Sequence, residues 1–500
     1  MLMAAVPYGL ALIVGLVFIL YPLASYFLDK NDLRRFPSPS IASITPFWRM
    51  WHNVLYYGHY AAVDQAHRRL GSHVRIAPNH ISILDSQAPY EIYGHGANML
   101  KEAWYDAGAG VHRNMADARN KAEHQAKRKA LAHAFAAKTV TALEPVLQNT
   151  ISSLMAQLDK HAAAHTKPNM RRVINYFTID LLGQLMFGHE LGCLERDDDV
   201  LVAETQCGRL YKTPFINSLL DSTVINTALA MMPDLLAITK PLAQFHPYKK
   251  AGTDWENIIY HNIKKRLANP TQQDDLFQKL LENNKGEALN LSMGELVAES
   301  SVMMNAGTET TTAAMTNTIF LLYTHPDVLR RLREELDAAF PGDTRPTYDI
   351  AARLPYLRAC IEESLRVRPA SSMGLPRVVP EGGRVISGQF INGGVTVSVP
   401  TYSLLRDETI FENAGMYNPD RWMTTDAAMK TRMEKNHLPF SVGPRACIGR
   451  NISYFEQIVV IAAIVKFYDG IIDDGFQLET QERFNSNPGD LPMRILRRKF

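Results

Sequence analysis

The sequence predicts a mainly α-helical fold with small β-sheets, and three observations support this prediction. First, apolar residues recur at helical spacing in long stretches. These stretches predict helices at 122–135, 293–322, 327–340 and 357–367. Second, short alternating stretches bounded by glycine and asparagine predict strands at 74–76, 81–84, 384–391 and 395–399. Third, no repeat or low-complexity linker interrupts residues 46–500, so we expect a single domain there.

The composition is that of a globular chain with a large core. Of its 500 residues, 46% are hydrophobic and 21% are charged, which excludes a disordered or fibrous chain. A formal net charge of +2 argues against nucleic acid as a partner, because such partners need a strongly basic surface. The four cysteines (Cys193, Cys207, Cys360 and Cys447) are far apart and show no C-x-x-C spacing. We therefore expect no disulfide framework, no structural zinc site and a reducing compartment.

The amino terminus departs from this pattern. Residues 1–28 contain no charged side chain and are apolar enough to cross a bilayer as one tilted helix. A buried core helix is the alternative. Three basic residues follow directly (Lys30, Arg34 and Arg35), so the positive-inside rule predicts that the rest of the chain is cytosolic. Residues 29–45 are predicted to be a linker, whose two prolines make a stiff, non-helical hinge.

The most informative feature of the chain is the run F-S-V-G-P-R-A-C-I-G at 440–449. A cysteine thiol titrates above neutral pH, so a thiolate has to be held by a metal ion and backbone N–H donors. Gly443 and Gly449 are expected to let the main chain turn tightly and approach the sulfur. The apolar residues 451–465 predict a helix whose N-terminal dipole stabilises the negative charge. These features indicate that Cys447 binds haem iron, and the alternative is a small apolar cysteine between a loop and a helix.

The pattern F-x-x-G-x-R-x-C-x-G is the signature of the cytochrome P450 superfamily, which the chain closely resembles along nearly its whole length. The resemblance implies the cytochrome P450 fold after an N-terminal transmembrane helix, with haem b bound through the Cys447 thiolate. Phe440 and Gly449 would frame the haem, and Arg445 would meet a haem propionate. The segments 75–83, 93–96, 122–129 and 372–377 resemble fungal microsomal members, and among those the benzoate para-hydroxylase group.

Glu363 and Arg366 form an E-x-x-R pair, one turn apart on the same face of a predicted helix. Alone, such a pair is a weak signal, because solvated surface pairs with this spacing are common. The resemblance adds Arg421, in the stretch 417–422 that precedes the haem loop. It implies a buried triad of these three residues, whose charges satisfy one another and hold the haem-binding loop in place.

The stretch A-G-T-E-T-T at 306–311 lies midway through the predicted helix 293–322. A glycine destabilises a helix, and hydroxyls that bond back to the preceding turn open it. A packed, inert threonine-rich helix is one explanation. The resemblance implies another: Gly307 gives room for dioxygen over the haem, Thr310 donates a hydrogen bond to the bound dioxygen, and Glu309 relays protons from solvent.

His124 and Arg128 lie four residues apart on a predicted basic helix, hence on one face. The family usually has W-x-x-x-R here, and the resemblance assigns both residues to a haem propionate, with histidine in place of tryptophan. It assigns Arg377 to a propionate as well. The alternative for each is a solvated surface cation. The resemblance also places six basic residues near the Cys447 side of the haem, where they would form a patch suited to an acidic flavoprotein electron donor. They are Arg119, Lys121, Lys127, Lys129, Arg445 and Arg450.

Three classes of function would account for parts of this pattern. The first is a monooxygenase that inserts one oxygen atom of O2 into a small-to-medium apolar molecule, with electrons from NADPH through cytochrome P450 reductase, with cytochrome b5 as a further donor. The second is a haem-thiolate isomerase or sensor that does not activate O2. The third is a membrane protein with a structural cysteine and no haem. Glu309 and Thr310 favour the first class, because the second has no use for a proton relay, and the complete haem loop excludes the third.

Within the first class, the resemblance makes a benzoate-like aromatic the lead substrate. A tailoring oxidase of fungal secondary metabolism, acting on a polyketide, terpenoid or alkaloid, is the alternative. A carboxylate would need a buried cation or several N–H donors. Residues 195–250 carry no motif and, by the resemblance, cover the substrate pocket; they offer Arg209, Lys212, Lys240 and His246. The predicted location is the endoplasmic reticulum membrane, with one span in contact with lipid and a cytosolic catalytic domain.

Overall fold

The computed structural model describes residues 20, 22–270, 275–282 and 285–499. The predicted transmembrane helix at 1–28 lies largely outside these residues, and its described part, 22–28, is helical. Among the described residues, no single helix has both the length and the apolar character to span a bilayer. Two segments, Phe215–Ala230 and Pro233–Phe245, satisfy these criteria when taken together, with a bend of 92° between them.

Helices make up most of the described chain, which confirms the predicted fold class. The helices that position the site are Lys121–Leu131, Met170–Phe187, Met293–Tyr323, Pro355–Val367 and Arg450–Phe467. The other α-helices are Phe47–Met50, His59–Leu70, Ala88–Tyr93, Ala137–Thr141, Glu144–Ala163, Cys193–Arg196, Phe215–Ala230, Leu236–Leu242, Tyr248–Ala268, Gln278–Leu281, Pro326–Ala339, Tyr348–Ala351, Thr401–Leu404 and Ala427–Asn436. A π-helix spans Trp51–Leu55, and 3-10 helices span Ser40–Ser43, Ala103–Asp106, Pro233–Leu235, Ala243–Phe245 and Pro419–Met423.

The helix Met293–Tyr323, called the central helix below, runs without a break through the threonine-rich stretch. It begins with a capping box: the Ser292 side chain accepts from the Glu295 backbone N–H, and the Glu295 carboxylate accepts from the Ser292 N–H. The expected opening of this helix by its hydroxyls is therefore wrong. Most residues of this helix from Thr308 onward are buried. Packing against the rest of the protein therefore outweighs the low helix propensity of its glycine and threonine residues.

The main sheet has five strands. Their order across the sheet is His73–Ala77, His80–Ile83, Thr396–Ser398, Arg377–Val378 and Leu100–Lys101. Four two-stranded sheets pair Val200–Glu204 with Leu210–Pro214, Arg384–Ile386 with Gln389–Ile391, Tyr468–Ile471 with Arg494–Arg497, and Thr480–Glu482 with Ser486–Pro488. The predicted single strand 384–391 is thus a hairpin, because Ser387 and Gly388 both have positive φ and reverse the chain.

Of the four apolar cores among the described residues, the two largest hold these layers together. The larger one packs the central helix against Met170–Phe187 and Arg450–Phe467, and the smaller one lies on the main sheet. Leu33 and Phe36 are buried in the smaller core. Just beyond them, the Ser38 hydroxyl donates to the Arg75 carbonyl over 2.8 Å. The predicted linker is therefore docked on the sheet. Its proline-containing part, residues 36–39, is non-helical as expected, and a 3-10 helix follows at Ser40–Ser43.

Candidate active site

A cavity of about 350 Å³ lies between the central helix and the loop that carries Cys447. Val302, Ala306 and Thr310 line it from the central helix, and Phe440 and Cys447 line it from the loop. A volume of this order is typical of ligand and cofactor sites. Most of the remaining lining is apolar, and includes Leu182, Leu276, Leu365, Leu375, Ile452 and Phe484. The structure therefore brings the two main sequence motifs together around one largely apolar space.

The Cys447 loop is shaped by backbone hydrogen bonds and by one glycine. The Cys447 N–H donates to the Phe440 carbonyl over 3.0 Å, which closes the loop. Gly443 has φ +80°, and a Cβ at this position would overlap the carbonyl oxygen of Tyr93. Gly449, at the start of the next helix, has φ −79° and leaves ordinary room for a Cβ, 3.8 Å from the Cys447 sulfur. The turn therefore needs a glycine at 443, and the protein atoms alone do not need one at 449.

The Cys447 side chain is open to the cavity. Burial raises the pKa of its thiol, while the Gly449 backbone N–H and the charges of Arg128 and Arg450 act in the opposite direction. The net effect is a thiol that stays protonated near neutral pH in the protein alone. A coordinating metal ion deprotonates such a thiol outright, because its charge is larger and closer than any of these. The donor chemistry at Cys447 therefore fits an iron centre.

Five basic side chains surround one edge of this cavity. His124, Arg128 and Arg445 line it directly, and Arg377 and Lys101 lie behind them on neighbouring strands. The first four residues are those assigned to haem propionates from the sequence. Lys101 was missed, because no motif surrounds it and its place depends on strand pairing. The five side chains come from four separate parts of the chain and converge on one place.

The partners of these cations within the protein are neutral groups. Arg128 donates to the Ala446 carbonyl over 2.7 Å, and Arg377 donates to the Tyr105 hydroxyl over 2.7 Å. Arg445 donates to two backbone carbonyls, and Lys101 donates to one. None of these contacts neutralises the positive charge.

Burial and mutual repulsion change the titration of this cluster. Burial, with added repulsion from Arg377, lowers the pKa of Arg445 to about 10. Burial, followed by the charges of Arg377 and Arg445, lowers the pKa of Lys101 to about 6. Burial and the same neighbours lower the pKa of His124 to about 4. Near neutral pH the three arginines are therefore charged, while Lys101 and His124 are mostly neutral until an anion binds beside them. Basic side chains without an ion-pair partner among the described residues, at the edge of a cavity that holds a cysteine, fit the two propionates of a haem.

The three residues singled out on the central helix do not share one environment. Thr310 lines the cavity, and its hydroxyl donates to the Ala306 carbonyl over 2.6 Å. A Cβ at Gly307 would lie 2.7 Å from Cδ1 of Leu182, so this glycine allows close packing of two helices. Gly307 and Leu182 both line the cavity, so the expectation that Gly307 makes room for dioxygen stays a prediction.

Glu309 points away from the cavity and toward the helix Met170–Phe187. Its Oε1 accepts from the Asn175 amide over 3.2 Å, and its Oε2 lies 3.6 Å from an Arg171 guanidinium nitrogen. Burial raises the pKa of this carboxyl, and the charge of Arg171 opposes the rise. Arg171 in turn lines a surface cleft of about 440 Å³. Glu309 therefore connects to solvent through Arg171 rather than through the cavity.

The E-x-x-R pair forms the predicted contacts with Arg421. The Glu363 carboxylate accepts from Arg366 over 2.8 and 2.9 Å and from Arg421 over 3.0 Å. It also accepts from the Trp422 indole N–H over 2.9 Å, a partner that sequence reasoning missed. Although burial would raise the pKa of Glu363, these hydrogen bonds and charges hold it below its ordinary value.

Arg366 ties this pair to the segment that precedes the haem loop. It is completely buried and donates to the backbone carbonyls of Leu405, Ala414 and Met416 over 2.7 to 2.9 Å. These bonds tie the segment 405–416 to the helix Pro355–Val367. The network therefore holds the approach to the Cys447 loop in one conformation.

The described residues of 195–250 do not line the cavity, which corrects their expected role as its cover. Apolar residues of Phe215–Ala230 pack instead on Tyr248–Ala268 and around Trp104. Lys240, one of the proposed carboxylate partners, donates to the Asp106 and Ala109 carbonyls over 2.9 and 2.6 Å. The polar side chains that line the cavity away from the basic cluster include Ser371 and Asn485, which sequence reasoning missed.

Comparison with known proteins agrees with this geometry. The family model described as Cytochrome P450 matches residues 42–489. The benzoate 4-monooxygenase bphA of Aspergillus niger is 32% identical, over 99% of this chain and 98% of its own length. The cytochrome P450 monooxygenase aba2 of Botryotinia fuckeliana is 27% identical, over 93% of this chain and 88% of its own. The cytochrome P450 monooxygenase astJ of Aspergillus oryzae is 28% identical, over 90% and 88% respectively.

Proposed function

The chain belongs to the cytochrome P450 family of monooxygenases, and we propose that it hydroxylates a benzoate-like aromatic substrate with O2 and electrons from NADPH. NADPH–cytochrome P450 reductase is the proposed donor, with cytochrome b5 as a second one. The observation that carries the proposal is that Cys447 and Thr310, from two distant segments of the chain, line one largely apolar cavity. This is the arrangement that oxygen insertion needs, because the thiolate and the proton donor act from two sides of one centre.

Haem, when bound, supplies the iron centre at which one atom of O2 is reduced to water and the other is passed to the substrate. Cys447 would hold its iron, and the cation cluster would hold its propionates. The Thr310 hydroxyl lines the same cavity, and by rotating away from the Ala306 carbonyl it would donate into the cavity. Glu309, linked to solvent through Arg171, would resupply that proton from behind the helix. The apolar lining excludes bulk water and so favours reaction with the bound substrate.

The substrate part of the proposal is supported by the bphA relative, which matches over nearly the full length of both chains. A benzoate would place its ring among the apolar side chains of the cavity. Its carboxylate would need donors, and the Ser371 hydroxyl and the Asn485 amide are available in the lining.

An uncharged tailoring substrate is the second candidate, and one observation favours it. The cations that line the cavity among the described residues, His124, Arg128 and Arg445, are all at the edge assigned to haem propionates. A benzoate carboxylate would therefore have neutral donors alone, which compensate poorly for its loss of hydration.

A spectral titration separates the two candidates. The haem-loaded protein is titrated with benzoate, with methyl benzoate as a matched uncharged control, and with a larger neutral terpenoid. Displacement of water from the iron shifts the Soret band and reports binding. A shift with benzoate that exceeds the shift with its ester supports the benzoate assignment. A shift with the two neutral compounds and none with benzoate replaces it with the second candidate.

We also propose that the protein is anchored in the endoplasmic reticulum membrane with its catalytic domain in the cytosol. Two exposed apolar groups support a membrane-facing surface, the first formed by Phe47, Trp51 and Leu55, and the second by Ile238, Leu242 and Phe245. The helix Phe215–Ala230 contacts both segments, so they belong to one side of the molecule. Protease added outside intact microsomes should digest the domain, and protection from it would reverse the proposed topology.

The reductase is proposed to dock on the basic side near the Cys447 loop. Lys127 and Arg119 of the predicted patch are engaged in ion pairs with Glu299 and Asp106, so they contribute less than the sequence suggested. Lys129 and Arg450 are exposed. Charge reversal at both should raise the reductase concentration needed for half-maximal turnover, more strongly at low salt. Unchanged dependence on reductase and salt would exclude this surface.

A further inference from the structure

Arg49 is a buried cation that the proposed function does not use. It lies on the helix Phe47–Met50 and is 6% exposed. Its one hydrogen bond among the described residues runs from Nη1 to Nδ1 of His80 over 3.2 Å, and its Nε–H has no partner there. Glu102, whose charge acts on Arg49, accepts from the Trp104 backbone N–H and forms no ion pair with it. A buried charge without a counter-ion is unfavourable, so Arg49 needs an explanation.

A second, small cavity lies beside Arg49. Its volume is about 10 Å³, which is room for one species of the size of a water molecule or a monatomic ion. Its polar lining includes Arg49, His59, His80 and Ser398, all of which are more than nine-tenths buried. Neither ring nitrogen of His59 has a hydrogen-bond partner among the described residues. Two residues with unpaired, buried nitrogen atoms therefore line one small space.

The hydrogen bonds of this cluster determine which of its atoms are donors. An arginine cannot accept, so His80 accepts at Nδ1, and its Nε2–H donates to the Ser398 hydroxyl over 2.8 Å. The proton of the Ser398 hydroxyl then has no acceptor among the described residues. A neutral imidazole also carries one N–H, and that of His59 is unpaired. Arg49, His59 and Ser398 therefore each have a donor that needs an acceptor.

Of these groups, Arg49 carries the positive charge near neutral pH. Burial, followed by the charges of Arg49 and His52, lowers the pKa of His59 to about 3. Burial and the charges of Arg49 and His59 hold the pKa of His80 well below its usual range. Burial lowers the pKa of Arg49 too, but a guanidinium starts so high that it stays charged. A water molecule would accept the hydrogen bonds and leave the charge unbalanced, whereas an anion satisfies both needs.

We propose that Arg49, His59 and Ser398 bind one monatomic anion, and that this anion is chloride. The small volume of the cavity excludes sulfate, phosphate and organic carboxylates, so the proposed substrate does not compete for the site. No residue lines both this cavity and the one that holds Cys447. The site is therefore separate from the candidate active site, and its existence does not depend on the proposed reaction.

The anion site lies directly behind one wall of the active-site cavity. Residues 372–374 line the small cavity, and their neighbours Ser371 and Leu375 line the large one. The strand that ends at Ser398 has the same arrangement, because Val399 lines the large cavity. A chloride held by Arg49 would therefore restrict the segment 371–375 from behind.

Thermal unfolding of the haem-loaded protein in chloride and in gluconate, at equal ionic strength, tests the site. The Tm of the wild type should be about 2–3 °C higher in saturating chloride, because a ligand that binds the folded state alone stabilises it. Arg49→Met should abolish this difference, and His59→Phe should reduce it. Arg75→Met is the matched control, because Arg75 is 3% exposed but donates to the Pro78 carbonyl and lies outside the lining of the small cavity. That control should lose stability in both salts and keep the chloride effect.

Hydrogen exchange measures the consequence for the active-site wall. Backbone N–H groups of residues 371–375 should exchange more slowly in chloride than in gluconate in the wild type. In Arg49→Met, the exchange of this segment should be the same in the two salts. Equal exchange in the wild type would reject the effect of the anion on the wall.

Anomalous diffraction from wild-type crystals grown in bromide locates the anion directly and needs no variant. A bromide peak within hydrogen-bond distance of Nε of Arg49 is the expected result. A water alone at this place overturns the proposal, even if Arg49→Met does not fold. A wild type whose Tm is the same in chloride and gluconate overturns it as well, and so does a chloride effect that Arg49→Met retains in full.

Discussion

Lys101 and Arg377 lie directly opposite each other on two antiparallel strands, although both side chains are basic. Like charges in this position destabilise a sheet, because each raises the energy of the other. The pair is nevertheless built into the centre of the cation cluster, where Lys101 is 6% and Arg377 is 4% exposed. Burial and this repulsion lower the pKa of Lys101 to about 6, and an anion bound beside the pair would restore its charge. The proposed haem propionates are that anion.

Replacing Lys101 with methionine tests this interpretation on the apoprotein. The pKa of Lys101 falls from 10.5 in the unfolded chain to about 6 in the fold, so between these values the unfolded chain binds the extra proton. The free energy of unfolding of the wild-type apoprotein should therefore rise with pH from 6 upward, and Lys101→Met should remove this part of the rise. Urea unfolding at a series of pH values measures it.

The same variant should bind haem less well. Loss of a charge-assisted contact should weaken haem retention by about 1.5 kcal/mol, or roughly tenfold in the rate of transfer to apomyoglobin. An apoprotein with the wild-type pH dependence, together with unchanged haem transfer, would contradict the role given to Lys101.

Replacing Cys447 with alanine should abolish the thiolate-type spectrum of the reduced carbon monoxide complex, because no other thiol lines the cavity among the described residues. Cys207→Ala is the control, since Cys207 is an exposed thiol in the turn between two strands. Its spectrum should match that of the wild type. Retention of the thiolate spectrum in Cys447→Ala would show that another group binds the iron.

Thr310→Ala should bind haem normally but release reducing equivalents as peroxide, with product formation lowered by about 10²-fold. The reason is that the hydroxyl is the proposed donor on the cavity wall. Thr312→Ala is the matched control two residues away, because its hydroxyl contacts Asn175 and Thr178 rather than the cavity. We expect that control to lose some stability and to keep its coupling. Equal coupling in the two variants would exclude a specific role for Thr310.

Glu363→Gln should lower the free energy of unfolding by about 3–5 kcal/mol, because it leaves Arg366 and Arg421 buried without their counter-ion. Glu362→Gln is the neighbouring control and should cost much less. Its charged partner Arg358 is partly exposed, and the glutamine can still accept from the Tyr454 hydroxyl. The pKa of Glu363 lies below its ordinary value of 4.5, so its contribution is present above that value and is lost as the pH falls through the folded pKa. The loss of stability caused by Glu363→Gln should therefore become smaller as the pH falls below 4.5 and should stay constant above that pH.

Gly443→Ala should destabilise the Cys447 loop by more than about 1–2 kcal/mol, because an L-residue is disfavoured at φ +80° and its Cβ would overlap the Tyr93 carbonyl. Gly449→Ala should leave the apoprotein stable, because the nearest atoms to its Cβ are 3.7 and 3.8 Å away. Thermal unfolding of both apoproteins measures the difference. An equal loss of stability in both variants would contradict the close approach of Gly443 to the Tyr93 carbonyl.

The sequence by itself determined the features that depend on local spacing. The Cys447 loop, the E-x-x-R pair and the central helix are each specified within a few turns of chain, where covalent geometry decides which side chains meet. The predicted fold class and the family follow from these motifs, and the comparisons confirm both. The predicted membrane segment at 1–28 and the location stay predictions.

Tertiary structure decided everything that needs two distant segments to meet. Lys101 joins the cation cluster through strand pairing, Arg49 meets His80 where a helix packs on the main sheet, and Gly307 is required by Leu182 of another helix. Glu309 follows the family pattern in sequence, yet its carboxyl faces Arg171 because the burial of a charge needs a partner. A one-dimensional pattern specifies which residues share a face, but the neighbour of that face is set by the global packing of the core.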